Sequence, residues 1–375
     1  MSMLSAIGLM SGTSYDGVDV ALINTDGERI GRLGPTGYRP YSGRERDVLR
    51  HAIAAACNLT GSEERPPILT EAEELVTDMH AEAVETFLAA NGLGQNGLAV
   101  VGFHGQTVLH RPDRRLSIQL GNGEALAARI GIPVVYRFRA ADIAAGGQGA
   151  PVVPIFHQAM IGMLKRPHPV AVLNLGGVAN LTFISGDRLI AFDTGPGNAL
   201  IDDFLRLRTG QPQDEGGSAA GAGKVDEAAL QRLLTHPFFA KKGPKSLDRN
   251  EFLHWVAQEG GFAGKSTEDG AATITALTAA SVALAIDLLP EMPRSWITAG
   301  GGTRNPTLMR MLRERLAPAR VDTAADVGWS PDALEAQAFA FLAVRSLKGL
   351  PITFPTTTGA PRPLPGGVLA KRTST

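Results

Sequence analysis

The segment GLMSGTSYDGVDVALI, residues 8–23, packs Gly12, Thr13, Ser14, Asp16 and Gly17 into one turn. Apolar residues lead into it and alternate out of it at Val18, Val20 and Leu22, which predicts a strand, a turn and a second strand. Glycines let backbone N–H groups approach an anion closely, and successive N–H groups in such a turn form a concave anion site. Two hydroxyls and a carboxylate beside them suit phosphates carrying Mg2+. The same residues also suit an ordinary hairpin turn. The pattern then recurs. VLNLGGVANLTFI, 172–184, sets Gly176-Gly177 between two apolar runs, and RLIAFDTGPGN puts Asp193 at the end of a third, with Gly195 and Gly197 behind it. Another Gly-rich turn, ITAGGGTRNP, begins at Ile297. Two like hairpins about 165 positions apart point to two similar lobes facing one nucleotide.

Composition bounds the partners. At 375 residues, 44% of them apolar, the chain can fill two cores. A net charge of −1 without a dominant basic run argues against sustained contact with nucleic acid or an acidic membrane. The lone Cys57, in HAIAAACNLTG, cannot form an internal disulfide and is expected to pack as a small apolar residue, which fits a reducing compartment. No basic segment precedes the first apolar run, so no signal peptide is expected. No apolar run reaches about 18 residues, so no transmembrane helix is expected either.

The elements that must position these turns read as follows. Residues 44–57 and 70–91 are helical, the second opened by a Thr70–Glu73 capping box. A strand at 98–103 leaves His104-Gly105-Gln106-Thr107 at its end. LSIQLGNGEALAARIGIPVVYRF is a strand, an Asn122-Gly123 turn, a helix stopped by Gly131 and Pro133, and a strand. The Gly-rich stretch 140–150 is expected to be the crossover and hinge between lobes. The second lobe opens with a helix at 152–164. Asn198 is expected to cap a helix running to Arg208, and Asn305-Pro306 to open one at 307–316. Residues 211–224 read as a mobile loop, and Lys241, Lys242 and Lys245 as a solvated cluster. ATITALTAASVALAIDLLP suits a buried helix, DALEAQAFAFLAVRSLKG is the last helix, and the tail from Pro351 is irregular. Alternating strands and helices define an α/β chain. The first Gly turn lies between strands, unlike a Rossmann unit, and neither GxxxxGK[ST] nor the protein-kinase motif set occurs. A two-lobed nucleotide clamp remains, divided as 1–143 with 346–375, and 144–345.

The order MSGTSYDGVD, FHGQT, GNGEALA, GGQGAPVVP, NLGGVANLT, DTGPGN, AGGG and EAQAFA resembles the anhydro-N-acetylmuramic acid kinase family, from about residue 7 to 345. The resemblance implies an actin-like (ribonuclease H-like) fold of the acetate and sugar kinase/Hsp70/actin superfamily, with the active site in the cleft between lobes. It implies ATP and Mg2+ as cofactors and 1,6-anhydro-N-acetylmuramic acid as substrate. Water opens the 1,6 bridge and the γ-phosphate passes to O6, giving N-acetylmuramic acid 6-phosphate and ADP. Such a reaction belongs to cytoplasmic recycling of the bacterial wall, by an enzyme that is commonly a homodimer.

On that resemblance Asp193 is the catalytic base for the attacking water, the alternative being a capping role in its turn. Gly12, Thr13, Ser14, Tyr15, Asp16, Gly17, Val18 and Asp19 hold the β- and γ-phosphates, with Tyr15 at a tolerant position of the family pattern. No lysine lies in any Gly loop, so backbone N–H groups and Mg2+ must neutralise the phosphates. Asp16 and Glu335 are the metal candidates, or else structural hydrogen-bonding partners. Asn174, Gly176 and Gly177 face the phosphates from the second lobe. Gly300, Gly301, Gly302 and Asn305 lie under adenine and ribose. Sugar contacts are expected from His104, Gln106, Gln119, Asn122, Glu124, Arg137, Arg139, Asp142 and Gln148. A lactyl carboxylate calls for an arginine fork, and strand alternation lets only one of Arg137 and Arg139 point into a given face. A different sugar kinase of this superfamily is the nearest competing reading. A chaperone-like ATPase would need a further module, and a glycoside hydrolase has no use for three phosphate-type turns.

Overall fold

A computed structural model describes residues 2–12, 15–61, 64–247 and 249–371. The chain first runs β1 (Leu4–Met10), β2 (Gly17–Thr25), β3 (Ile30–Pro40), α1 (Gly43–Ala56), α2 (Pro67–Asn91), β4 (Val100–Phe103), β5 (Gln106–Arg111), β6 (Leu116–Leu120), α3 (Gly123–Ile130), β7 (Val134–Tyr136), α4 (Ala140–Ala144) and α5 (Pro154–Gly162). It continues through β8 (Val170–Leu175), β9 (Val178–Ser185), β10 (Arg188–Pro196), α6 (Asn198–Thr209), α7 (Ser218–Ala222), α8 (Glu227–Leu233), α9 (Pro237–Ala240), α10 (Arg249–Glu259), α11 (Thr267–Leu284), β11 (Ser295–Ala299), α12 (Pro306–Leu316) and β12 (Arg320–Thr323). It ends with α13 (Leu334–Leu347) and β13 (Val368–Ala370). These elements form two compact α/β units, 1–164 with 332–375, and 165–331.

The first unit is built on a sheet of order β13-β7-β4-β1-β2-β3. β1, β2 and β3 form an antiparallel meander, and β1, β4 and β7 run parallel. Alternation splits β1 between two faces. Ile7 and Leu9 join Val76, Val84 and Phe87 of α2 in one core. Gly8 faces α13, where an added Cβ would lie 1.8 Å from the Ala336 carbonyl oxygen. Gly102, beside Gly8 in register, meets the Phe339 carbonyl in the same way. The EAQAFA helix therefore rests directly on the sheet backbone.

The second unit has the order β10-β9-β8-β11-β12, with an antiparallel meander β8-β9-β10 and parallel β8, β11 and β12. Its central helix α11 is buried along nearly its whole length. The run 267–288 is long and apolar enough to cross a membrane, against the expectation that no such run exists. Most of it lies inside the second unit, where a core helix needs the same composition.

Several sequence expectations change here. Helices α5 and α13 belong to the first unit, so the chain passes between units after 164 and after 331 rather than at 143/144 and 345/346. The segment 140–150 is not the crossover. The Asp142 carboxylate accepts from Gly149 N–H (2.6 Å) and from the Thr358 hydroxyl (2.6 Å), and Gln148 N–H donates to Thr358 O. α2 starts at Pro67, whose missing N–H costs nothing at a helix start, so Thr70 is interior. The capping box is instead Ser42–Glu45 at α1. Gly197, not Asn198, is the cap residue of α6. Cys57 ends α1 and is exposed. Residues 211–224 fold: Asp214 accepts from the N–H groups of Ala219 and Ala220, and α7 packs on α11. The tail contributes β13, paired with β7.

Candidate active site

In the first unit the β1–β2 pairing ends at Met10 and Asp19, and the turn between them is fastened from outside. The Ser11 hydroxyl donates to Gly105 O, Gln106 Nε2 donates to Gly12 O, and Tyr41 N–H donates to Asp16 O. Tyr15 takes a left-handed φ of +53°. Thr13 and Ser14 lie outside the described residues. Gly17 and Val18 begin β2. Burial first, then the carboxylates of Asp16, Glu335 and Asp332, push the Asp19 carboxyl up to about 7. Burial also raises Glu335, with Arg139 pulling the other way. Among the described residues no three His, Cys, Asp or Glu side chains are grouped closely enough to cage a metal. Crowded carboxylates of this kind fit Mg2+, which takes one or two of them and completes its shell with phosphate oxygens and water.

The sugar candidates divide. His104, Gln119 and Arg139 meet directly: Arg139 Nη2 and Gln119 Nε2 each lie 3.1 Å from His104 Nε2. A guanidinium can only donate, so Nε2 accepts and His104 is neutral. Burial and the Arg139 cation hold it well below the usual histidine range. Arg139 also donates to Gly149 O. Arg137 joins Gln119 and Arg139 around a cavity of about 350 Å3, which Arg65 and Arg115 line as well. The alternation argument for choosing one arginine fails, because β7 ends at Tyr136 and Arg137 has a left-handed φ of +55°. Both arginines line the same cavity. Asp142 has both carboxylate oxygens engaged in fold contacts and is buried, a structural placement. Asn122 caps α3 and Glu124 accepts from the Tyr136 hydroxyl (2.5 Å). Gln148 is held through its backbone, and Gln106 supports the first turn.

In the second unit three Gly turns converge. Asn198 N–H donates to Gly176 O and Gly197 N–H donates to Gly177 O, tying the β8–β9 turn to the start of α6. Gly300 has a φ of +84°, and a Cβ there would lie 2.5 Å from Asn174 Oδ1 and 2.8 Å from Leu175 O. Gly302 abuts Leu175 and Asn198, and Gly301 lies beside Asn198. Asn305 is buried and caps α12, its Oδ1 accepting from Leu308 N–H. The result is a shallow rim of backbone polar groups with no Cβ atoms in the way, suited to an anion or a nucleotide.

Asp193 sits on β10 opposite Asn180, where a bulge at Thr194 breaks the register before Gly195. A bulge at a strand end re-aims the neighbouring side chain. The segment 243–247 straps over it: Asp193 N–H donates to Lys245 O (3.0 Å), and Leu247 N–H donates to Asp193 Oδ2 (2.8 Å). Burial pushes its carboxyl up to about 6, against the Leu247 N–H and the Lys245 charge. Lys245 was missed by reading the sequence. Far from being solvated, it is only 3% exposed, and its ammonium donates to Phe238 O and Phe239 O.

Gly-built turns at the strand ends of two α/β units, with a desolvated carboxyl beside one set of them, suit a phosphotransferase. The chain belongs to the anhydro-N-acetylmuramic acid kinase family, whose sequence model matches residues 4–371. It is 58% identical to the anhydro-N-acetylmuramic acid kinase of Rhodopseudomonas palustris (strain ATCC BAA-98 / CGA009) over 370 residues, covering 98% of this chain and 100% of that one. It is also 58% identical to the enzyme of that name from Azorhizobium caulinodans over 371 residues, 99% and 100% covered. Among solved structures, component A of the (R)-2-hydroxyglutaryl-CoA dehydratase of Acidaminococcus fermentans aligns over 92% of this chain and 99% of its own, with 10% identity and a TM-score of 0.47.

Proposed function

We propose that this chain uses ATP to convert 1,6-anhydro-N-acetylmuramic acid into N-acetylmuramic acid 6-phosphate. The observation that carries the reading is Asp193, a desolvated carboxyl at a bulged strand end beside a Gly-built anion rim. A carboxyl near 6 is ionised at neutral pH yet basic enough to take a proton. Asp193 removes the proton of a water attacking the anomeric carbon. The C1–O6 bond breaks, the water oxygen stays on C1, and O6 attacks the γ-phosphorus. The bond to the β-phosphate oxygen breaks and ADP leaves. The proton on Asp193 returns to solvent.

The turn at Gly12–Asp19 in the first unit and the rim at Asn174, Gly176, Gly177 and Gly300–Gly302 in the second are each proposed to bind nucleotide groups of ATP through backbone N–H groups. Asp16 and Glu335 would hold Mg2+, which neutralises phosphate charge when bound. The arginine-lined cavity takes the sugar by its lactyl carboxylate, with Gln119 and Arg137 at hand and Arg139 braced by His104. The setting we propose is wall recycling in a bacterial cytoplasm, by a homodimer. The test is ATP consumption, in the presence of Mg2+, with three sugars. ADP should form with 1,6-anhydro-N-acetylmuramic acid and not with N-acetylmuramic acid or glucose. Equal turnover of glucose would point to a different sugar kinase, and turnover without sugar to an ATPase.

A further inference from the structure

We infer that Lys245 is a positioning residue for the reaction, a buried cation that keeps the Asp193 carboxylate charged and, through its own backbone, in place. This rests on the reading of Asp193 as the base. The geometry is specific. Lys245 O accepts from Asp193 N–H, and two residues on, Leu247 N–H donates to Asp193 Oδ2. The strap thus grips the main chain and one carboxylate oxygen of the same residue. The Lys245 side chain turns inward, where Nζ lies 2.8 Å from Phe238 O, 3.3 Å from Phe239 O and 4.4 Å from the Phe238 ring centroid. The Phe192 ring, next to Asp193 in sequence, is 5.5 Å away.

A buried ammonium loses hydration, and carbonyls with an aromatic face replace only part of it. Among the described residues the only charged group acting on Asp193 is Lys245, and those acting on Lys245 are Asp193 and Lys241. Among the described residues, the other elements packed on β10 bring no further charge to this point. β9 places Asn180 opposite, α11 presents Ser281 towards Gly195, and α9 supplies Phe238 and Phe239, with the His236 ring edge-on to Phe239. Burial lowers Lys245 to about 8, so it remains charged through neutral pH, while its field holds Asp193 down against burial.

The test pairs Lys245→Met, which keeps length and apolar contact, with Lys245→Arg, which keeps charge. In the free protein, the Asp193 carboxyl is titrated by 13C NMR against Asp193→Asn as the assignment control. Its midpoint should rise by about one unit in Lys245→Met and stay near the parent value in Lys245→Arg, a tenfold change in proton affinity. The acid limb of kcat for sugar phosphate formation should move up in parallel. At pH 6 the Met variant should lose about fivefold and at pH 9 recover most of the parent rate, with KM for ATP within about twofold. An unmoved carboxyl midpoint in a folded Lys245→Met protein overturns the inference, as does a pH-independent loss shared by both variants. A shifted midpoint with an unshifted rate profile retains the electrostatic role and instead rejects Asp193 as the base.

Discussion

In both units a three-strand antiparallel meander, β1-β2-β3 or β8-β9-β10, continues sideways through two parallel strands. What differs is the chemistry at the strand ends. The first unit gathers carboxylates, and Asp19 is raised by its acidic neighbours as well as by burial. The second unit strips its turns to glycine and places one carboxyl apart, raised by burial and restrained by a lysine. The fastening differs too. The first turn is tied to the β4–β5 connection through Ser11 and Gln106, and the second to a helix start through Gly197 and Asn198. One topology thus supports two kinds of site. Crowded acids suit a cation, and bare backbone beside an isolated acid suits an anion and a proton transfer.

The comparison breaks most sharply at Asp193. Asp193→Asn keeps the shape and the Leu247 bond but removes the proposed base. Sugar phosphate formation should fall by at least about 10²–10⁴-fold, the worth of a positioned general base. Excess Mg2+ should not restore it, because the lost group serves no cation. ATP binding should persist. Stability above pH 6 should not fall. A carboxyl raised to about 6 resists ionisation in the folded state, so removing that charge relieves a penalty present once pH exceeds its ordinary value. A folded variant that keeps more than about a tenth of parent activity would rule out the role.

Gly300→Ala tests the bare rim by a smaller amount. Its φ of +84° and the 2.5 Å approach to Asn174 Oδ1 leave no room for a Cβ. Ala must push the turn off Asn174 to fit, and if about 1–2 kcal/mol of that displacement falls on the nucleotide-bound form, KM for ATP should rise roughly five- to thirty-fold with kcat much less affected. An unchanged KM would remove this turn from the nucleotide site.

How much of this the sequence disclosed depends on the range of the contacts involved. Both hairpins were legible because Gly-rich turns between alternating apolar runs are local signals. Asp193 was legible as the polar end of an apolar strand. Lys245 was not: KKGPK reads as a charged surface, and only the strap over Asp193 and the fold of α9 turn its third lysine inward. The same holds for α13. Its EAQAFA sequence signals a small-faced helix, but Gly8 and Gly102 across the sheet decide which unit it joins. The loop expected at 211–224 failed for a subtler reason. Gly and Ala look featureless until one carboxylate, Asp214, caps them into a helix against α11. Arg137 escaped the alternation rule because its strand ends one residue before it.

The smallest expected effect tests whether the first turn depends on a helix start, as the second does. Ser42 caps α1 by accepting from Glu45 N–H, and Glu45 answers by accepting from Ser42 N–H. Tyr41, one residue earlier, donates its N–H to Asp16 O in the turn. Ser42→Ala removes one half of this box. The other half survives, because two Arg39 bonds to the Glu45 carboxylate hold it in place at 2.8 and 3.0 Å. The loss should therefore sit near the low end of cap substitutions, about 0.5–1 kcal/mol. In a unit of this size that lowers Tm by about 1–4 °C. If Ser11, Gln106 and Tyr41 hold the turn as the bonds indicate, kcat and KM for ATP should stay within about twofold, since α1 can loosen without moving Asp16. Calorimetry beside steady-state rates reads both. A fall in activity larger than the fall in stability explains would mean that the first turn, like the second, is carried by the helix beside it.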